Sequence, residues 1–330
     1  MFDLPISYRD NPMTRSDPLS DVLHILDARS VVSTGLKASG DWSVRVDRHV
    51  GMKFNAVLAG RCHLEVQGVV PVELEEGDCF LLTQGISFTI ASDLKQRSQP
   101  ARDVFAGPAD YFAIIDGGVG NDFMCIGGRM DTETEIDFLK SSLPSLVLLR
   151  TQSEEAGRVR WLLDRLLAEL SLQYPGSNAM SEQIMHMIFI EMIRASVDSN
   201  DGVVNWLGAL LDPRIGRAMQ LIHAEPSRSW RIEELASASN LSRSQFSARF
   251  AEILGIAPIE YLLRWRMTLA AKALRRGREA LSKIAYETGY NSEAAFGAAF
   301  KRVHGISPGR FRELARDQSI LSRSGPSSPK

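Results

Sequence analysis

The feature that most constrains this chain is an internal repeat near its carboxyl end. Leu235-Ala236 matches Ile284-Ala285 at a spacing of 49 residues. After one inserted residue, a longer set of identical or similar residues matches at a spacing of 50: Ser242, Phe246, Phe250, Gly255-Ile256, Pro258 and Tyr261 against Ser292, Phe296, Phe300, Gly305-Ile306, Pro308 and Phe311. Because one repeat corresponds to one supersecondary unit, the segment predicts two copies of a small motif.

Each copy has the sequence marks of two short helices joined by a tight turn. The first helix is predicted over 232–239 in one copy and over 282–288 in the other. The turn falls on Asn240 or Gly289, residue types that tolerate a left-handed backbone. A serine follows and can cap a second helix, in which two phenylalanines four residues apart form a buried stripe. This is a helix-turn-helix pattern; the alternative is a hairpin repeat that binds nothing, although two units are few for a solenoid.

Charge is divided unevenly along the 330 residues. Residues 201–330 carry 20 Lys and Arg against 12 Asp and Glu, a balance of +8, whereas residues 1–200 carry 18 against 28, a balance of −10. A basic half joined to an acidic half indicates that one half meets a polyanion. Chance variation between domains is the alternative explanation of the charge alone.

The composition limits the class of protein. Hydrophobic residues make up 44% and charged residues 24% of the chain, which is typical of a globular protein. No window approaches the ~20 apolar residues of a membrane span, and the polar amino terminus lacks the pattern of a signal peptide. Three scattered cysteines predict neither a disulfide framework nor a zinc site, so we expect a protein of the reducing cytosol.

The region from Val31 to about Leu149 predicts β-structure. About eight short apolar or alternating runs are separated by Gly, Asp and Pro, which is typical of a sandwich or small barrel. Residues 95–110 are polar and predict a long surface loop.

A helix pair is predicted next, over 154–174 and 180–197, and its apolar stripes need a partner surface. That surface is either a second copy of the chain or the protein's own β-structure. The predicted domains are 1–150 (β), 151–200 (helix pair), 201–211 (linker), 212–316 (helical) and 317–330 (disordered tail).

The second copy of the repeat resembles a family signature. Its residues Ile284-Ala285, Gly289-Tyr290, Ser292, Phe296, Phe300-Lys301, Gly305-Ile306-Ser307-Pro308 and Phe311-Arg312 are similar to the motif of AraC-type transcriptional regulators. The resemblance covers residue 212 to about 316 and implies two helix-turn-helix units joined by a long helix over about 259–275.

The run Gly77-Asp-Cys-Phe-Leu-Leu82 is similar to the cupin-type sensor half of one branch of this family, and that similarity covers roughly 17–144. The implied fold class is α+β, with an N-terminal cupin-like β-barrel and helix pair and an all-α C-terminal domain.

The resemblance also implies DNA-contacting residues. They fall on the second helix of each unit: Arg243, Ser244, Gln245, Ser247, Ala248 and Arg249 in the first, and Ser292, Glu293, Ala294, Gly297, Ala298 and Lys301 in the second. Many relatives have arginine, a bidentate reader of guanine, where this chain has Ala248 and Ala298. The second helix of the first unit still offers hydroxyl, amide and guanidinium donors, whereas that of the second unit offers mainly alanine and glycine. We therefore expect the first unit to select sequence and the second to anchor the domain on the DNA backbone.

The cupin-like half raises the question of chemistry. A cupin metal site needs His-x-His, a nearby carboxylate and a later histidine, ligands that suit iron or manganese. This chain has only His49 in the first region and Phe88 at the later position, so no metal or other cofactor is predicted. Candidate effector-binding residues are Trp42, Arg45, His49, Phe54 and His63, the alternatives being core packing for the aromatics and a solvated face for the polar residues.

Together these features predict a DNA-binding transcriptional regulator rather than an enzyme. Its expected partners are double-stranded DNA, a small-molecule effector, a second copy of the chain and, as the family implies, RNA polymerase, with no membrane. The family favours activation. Two alternatives stay open at the level of sequence: a cupin metal enzyme with a helical appendage, and a dimeric DNA-binding protein whose barrel binds no ligand.

Overall fold

The computed structural model describes residues 17–26, 28–107, 111–120, 122–131, 143–172, 174–198 and 206–323. Backbone contacts divide the chain into two compact units, Asp27–Val203 and the combination of Met1–Leu26 with Val204–Lys330. We call them the β unit and the α unit. The first contains two sheets and a helix pair and the second is built from helices, so the predicted α+β fold class is confirmed.

The β unit contains eleven strands within its described residues, more than the roughly eight predicted. They are β1 (Arg29–Gly40), β2 (Ser43–Val46), β3 (Met52–Ala59), β4 (Arg61–Val66), β5 (Val72–Glu75), β6 (Cys79–Leu82), β7 (Phe88–Ala91), β8 (Gln99–Pro100), β9 (Phe112–Gly117), β10 (Phe123–Asp131) and β11 (Leu146–Leu149). Six form a sheet in the order β11-β6-β3-β10-β1-β9, and five form a second in the order β5-β4-β7-β2-β8. A short helix, α2 (Ala101–Val104), follows β8 within the stretch predicted as a loop.

The two sheets enclose the core of the β unit. In β4 the side chains of Cys62, Leu64 and Val66 are buried and alternate with more exposed neighbours, as expected of a strand with one buried face. They join apolar residues of the other sheet, such as Leu36 and Val57, in one cluster. The alternation that predicted these strands therefore also identifies which face of each lies inside.

A helix pair covers part of the first sheet. It consists of α3 (Glu154–Leu172) and α4 (Ser177–Asp198), close to the predicted bounds. Helix α4 packs against β1, β6, β10 and β11, and the rings of Phe54 and Phe189 meet edge to face with centroids 6.3 Å apart. Of the two partner surfaces that the sequence left open for the apolar stripes, the protein's own β-structure covers one face of the pair.

The α unit begins with α1 (Pro18–Leu26) and resumes after the β unit. Its other helices are α5 (Trp206–Leu211), α6 (Ile215–Ala224), α7 (Ile232–Ala238), α8 (Arg243–Leu254), α9 (Pro258–Arg276), α10 (Leu281–Glu287), α11 (Glu293–His304) and α12 (Pro308–Arg323). None of the helices in the described ranges combines the length and apolarity of a membrane span.

Three boundaries in the α unit differ from the predicted domains. Residues 206–211, placed in the predicted linker, form helix α5, in which Trp206 and Leu207 are buried. Helix α1 joins the α unit rather than the N-terminal domain, and the Asp21 carboxylate lies 3.3 Å from Nδ1 of buried His223. Helix α12 continues to Arg323, so only residues 324–330 of the predicted tail remain, and these lie outside the described residues.

Candidate nucleic-acid interface

The first repeat folds as helix α7, a tight turn and helix α8. Asn240 at the turn has a φ of 54°, the left-handed conformation predicted for it. Ser242 caps α8 because its hydroxyl accepts a hydrogen bond from the Gln245 N–H at 3.3 Å, and the Gln245 side chain accepts one from the Ser242 N–H at 3.2 Å. This reciprocal capping box confirms the predicted start of the second helix. It also means that the Gln245 amide, a predicted DNA contact, has a structural role.

The second repeat places α10, its turn and α11 in the same order. Gly289 has a φ of 81°, and a Cβ atom there would lie 2.5 Å from the Ser227 carbonyl oxygen. Only glycine fits this turn. Ser292 caps α11 through the Ala295 N–H at 3.2 Å. Gly305 ends α11 in the left-handed conformation, as Gly255 ends α8. The two copies thus share their turn, cap and termination geometry.

The inner faces of α8 and α11 are formed by phenylalanine. Phe246, Phe250, Phe296 and Phe300 are all buried, as the i,i+4 spacing predicts. Phe250 packs against Tyr261 of α9, with ring centroids 5.8 Å apart. The Phe296 and Phe300 rings lie 5.8 Å apart. With these faces buried, the opposite faces of α8 and α11 are the ones available to a partner.

The outer face of α8 carries the predicted contacts of the first unit. Arg243, Ser244, Gln245, Ala248 and Arg249 are exposed, and Ser247 is half-buried beside them. The Arg243 guanidinium lies 3.0 Å from the Glu233 carboxylate in an exposed pair, and such a pair contributes little to stability. The guanidinium is therefore free to exchange this partner for a phosphate.

Arg249 is held differently. Its Nε donates to Asp212 Oδ2 at 2.9 Å, and the Asp212 side chain is only 9% exposed. The other oxygen of Asp212 accepts from the N–H groups of Arg214 and Ile215 at the start of α6. Burial alone raises the pKa of Asp212, but the Ile215 N–H and the Arg249 guanidinium outweigh it and lower that pKa, so the carboxylate is charged at neutral pH. The sequence missed this pair because the two residues are 37 positions apart.

The outer face of α11 is built from small residues. Ser292, Glu293, Ala294 and Ala298 are exposed, and a side chain at Gly297 would meet open space. Lys301 is exposed further along the helix, next to Arg302. Within the described residues, Lys301 forms no ion pair. This surface permits close approach of a partner and offers cationic charge at one end.

The β unit does not bring the five predicted effector residues together. Trp42 is buried in the core against Phe123, and Phe54 points away from the space between the sheets, toward the helix pair. Arg45 is exposed beside Asp47, and His63 lies on the outer face of β4. The His49 ring meets that of Phe88, which lines a cavity, edge to face with centroids 6.4 Å apart.

That cavity has a volume of about 220 Å³ and lies between the two sheets. It is lined mainly by apolar side chains of both sheets, including Val44, Phe88 and Ile90. Its polar lining residues are Ser33, Thr34, Lys53 and Asn55. The alternation of β3 could have identified Lys53 and Asn55, because positions 53 and 55 share the face of buried Val57. The sequence-based choice of Phe54 selected the opposite face.

The described residues contain no group of three or more His, Cys, Asp and Glu side chains placed to hold a metal ion. The three cysteines are buried free thiols. Burial raises the pKa of Cys79 and of Cys125 to about 12 and raises that of Cys62 as well. Protonated, buried thiols are poor nucleophiles and poor metal ligands.

Comparisons with known proteins agree with this two-part architecture. A Cupin family model matches residues 17–198, and a Helix-turn-helix domain model matches residues 235–314. A protein of Streptomyces antibioticus named putative AraC-like transcription regulator is 40% identical over 300 residues, covering 90% of this chain and 98% of the relative. One of the same name from Streptomyces lividans is 39% identical with the same coverage.

A more distant relative comes from Escherichia coli K12. It is named RCS-specific HTH-type transcriptional activator RclR and is 26% identical over 303 residues, covering 91% of this chain and 98% of the relative. All three names describe regulators of transcription, whereas the sequence had left a cupin metal enzyme open as an alternative.

Proposed function

Because the chain belongs to the AraC-type family of DNA-binding transcriptional regulators, we propose that its α unit binds an operator under the control of a small effector held in the cupin-like β unit. The observation that carries this proposal is the pair of capped helices, α8 and α11, whose inner faces are buried phenylalanine and whose outer faces are exposed. The activator name of the Escherichia coli relative supports activation, through RNA polymerase in the cytoplasm, as the direction of regulation.

We propose unequal roles for the two units. The hydroxyls of Ser244 and Ser247 and the guanidinium of Arg243 give α8 several donors for base edges and phosphates. Arg249, which the sequence places among the readers, acts as a positioning residue instead: its pair with Asp212 ties α8 to the start of α6. The small residues of α11 allow close approach, while Lys301 contacts the DNA backbone.

A duplex-binding experiment tests the DNA-binding proposal and the role of Lys301 together. The full chain is titrated with a random-sequence duplex at several salt concentrations. Because phosphate contacts release counterions, log K should fall by about 0.9 per phosphate neutralised for each unit of log salt. Lys301→Ala should weaken binding to all sequences alike and make this slope shallower by about one unit.

Lys95→Ala, which removes an exposed lysine of the β unit, is the matched control and should leave the slope unchanged. An affinity that does not depend on salt would contradict the proposal of DNA binding. A slope unchanged by Lys301→Ala would contradict the backbone role of that residue only.

We further propose that the protein is a homodimer, joined through the outward face of the helix pair. A groove between α3 and α4 has an apolar floor that includes Trp161, Met187 and Ile190, and Trp161 and Met187 are 66% and 42% exposed. Charged side chains at the rim of the groove are paired with each other within the chain: Arg158 Nε donates a hydrogen bond to the Glu191 carboxylate at 2.9 Å. A second copy could therefore cover the apolar floor without burying an unpaired charge, in an interface with two-fold symmetry.

A further inference from the structure

The cavity between the two sheets of the β unit is small and mostly apolar, but one wall is polar. Its volume of about 220 Å³ is several times the roughly 30 Å³ of a water molecule in the liquid. It is below the ~300–1,000 Å³ of pockets for drug-sized ligands. The space therefore suits a small organic molecule. The hydroxyls of Ser33 and Thr34 also line it, but the class of that molecule depends mainly on Lys53, which supplies the charge, and on Asn55, whose amide lacks a partner within the described residues.

Lys53 places a cation in this wall, and no carboxylate in the described part of the chain pairs with it. Within the described residues it forms no ion pair or hydrogen bond. Its neighbour across the strand pair is Arg129, whose Nε is paired with Asp131 at 2.8 Å. Burial lowers the pKa of Lys53, and the positive charge of Arg129 lowers it further. The ammonium is thus held in surroundings that, as far as the described residues extend, supply no anion to stabilise its charge.

Asn55 adds an unsatisfied donor on the same face of β3. Asn55 is only 8% exposed, and its Nδ2 has no hydrogen-bond partner within the described residues. Gly127 on β10 makes room for it, because a Cβ atom at Gly127 would lie 2.7 Å from Asn55 Oδ1. Buried amide groups are nearly always hydrogen-bonded in folded proteins, so this N–H group points to a missing acceptor.

We propose that this cavity binds a small organic monocarboxylate, with the carboxylate at Lys53 Nζ and Asn55 Nδ2 and the apolar body against Val44, Phe88 and Ile90. The inference rests on the proposed function, in which the β unit holds the effector, and names the class of that effector. A cationic ligand would be repelled by Lys53 and Arg129. A neutral ligand would leave the ammonium without a counter-charge. A phosphate dianion would bring a second negative charge, which the single ammonium of Lys53 does not balance.

Binding of matched acids and amides to the full chain tests the proposal. The probes are benzoate, hexanoate and cyclohexanecarboxylate, each compared with its primary amide by calorimetry and by thermal shift. At least one carboxylate should bind and raise the Tm, and its amide should bind at least tenfold more weakly. Lys53→Met keeps the apolar stem and removes the charge. It should weaken carboxylate binding at least tenfold while leaving the Tm of the free protein unchanged or higher, because an unpaired charge is removed.

Lys37→Met is the matched control, since Lys37 is exposed on β1 of the same sheet and the variant should bind like the parent. The proposal is overturned if none of the three carboxylates binds, if the amides bind equally well, or if Lys53→Met retains the parent's affinity. DNA binding by the same preparations separates the two claims. Salt-dependent DNA binding without carboxylate binding overturns the ligand class alone, and carboxylate binding without DNA binding overturns the proposed function alone.

Discussion

Replacing Phe300 by alanine should lower the stability of the α unit by about 3–5 kcal/mol, the usual effect of truncating a buried phenylalanine. The side chain is fully buried, and its ring packs against Phe296, His304 and Phe311 with centroids 4.4–5.8 Å away. The same cluster includes Leu274 of α9. The cavity left by the ring lies between rigid helices that cannot collapse fully, so the loss includes both the buried area and the void.

This prediction is best measured by hydrogen exchange, because the two units of the chain can unfold separately. Amides of α11 that exchange through unfolding of the α unit should lose protection by a hundredfold or more, since each 1.4 kcal/mol is a factor of ten. Tyr286→Ala, which removes an exposed ring from α10, should leave protection near that of the parent. If Phe300→Ala exchanges like the parent, the assignment of the buried helix faces is wrong.

A comparably large effect is expected when Trp161 is replaced by aspartate. Tryptophan at the centre of an interface typically contributes 2 kcal/mol or more to binding, and aspartate would add a buried charge without a partner. The dissociation constant of the dimer should therefore be at least about 30-fold higher for the variant than for the parent. Sedimentation velocity across micromolar concentrations measures this directly, and the fold should be retained because the side chain is already exposed in one copy.

Tyr174→Asp is the control for this variant. Tyr174 is also an exposed aromatic residue of the β unit, but it lies outside the groove lining, so its dimer should persist. A parent chain that is monomeric at tens of micromolar would contradict the dimer itself. A Trp161→Asp chain that dimerises like the parent would place the interface elsewhere.

The features that the sequence predicted well are those set by local chemistry. Asn240 and Gly289 mark turns that need a left-handed backbone, and Ser242 has the capping-box spacing to Gln245; each was confirmed. These signals need only a few neighbouring residues. The burial of the phenylalanines was also predicted from local sequence, since the i,i+4 spacing places the two phenylalanines of each helix on one face.

The features that the sequence missed depend on residues distant along the chain. Arg249 was predicted as a DNA contact from its position on α8 alone. Its hydrogen-bond partner, Asp212, precedes a different helix and is distant in the sequence. Phe54 was chosen as a pocket residue although the pairing of β3 within the sheet turns it toward Phe189 and turns Lys53 inward. The sequence pattern of one β-strand shows which residues share a face, but not which of the two faces a helix later in the chain will cover.

Selection of preferred binding sites from a random duplex library tests the central claim that the two units bind DNA and read it unequally. The parent, Ser244→Ala, Ser247→Ala and Glu293→Ala are compared as full chains. The parent should enrich a defined motif, and the serine variants should change the bases preferred in one half of it. Glu293→Ala should leave the motif nearly unchanged, because α11 offers mainly alanine and glycine to the bases. Enrichment of no motif by the parent, or a larger change from Glu293→Ala than from either serine variant, would contradict the account; a direct contact of Glu293 with cytosine is then worth about 1–3 kcal/mol.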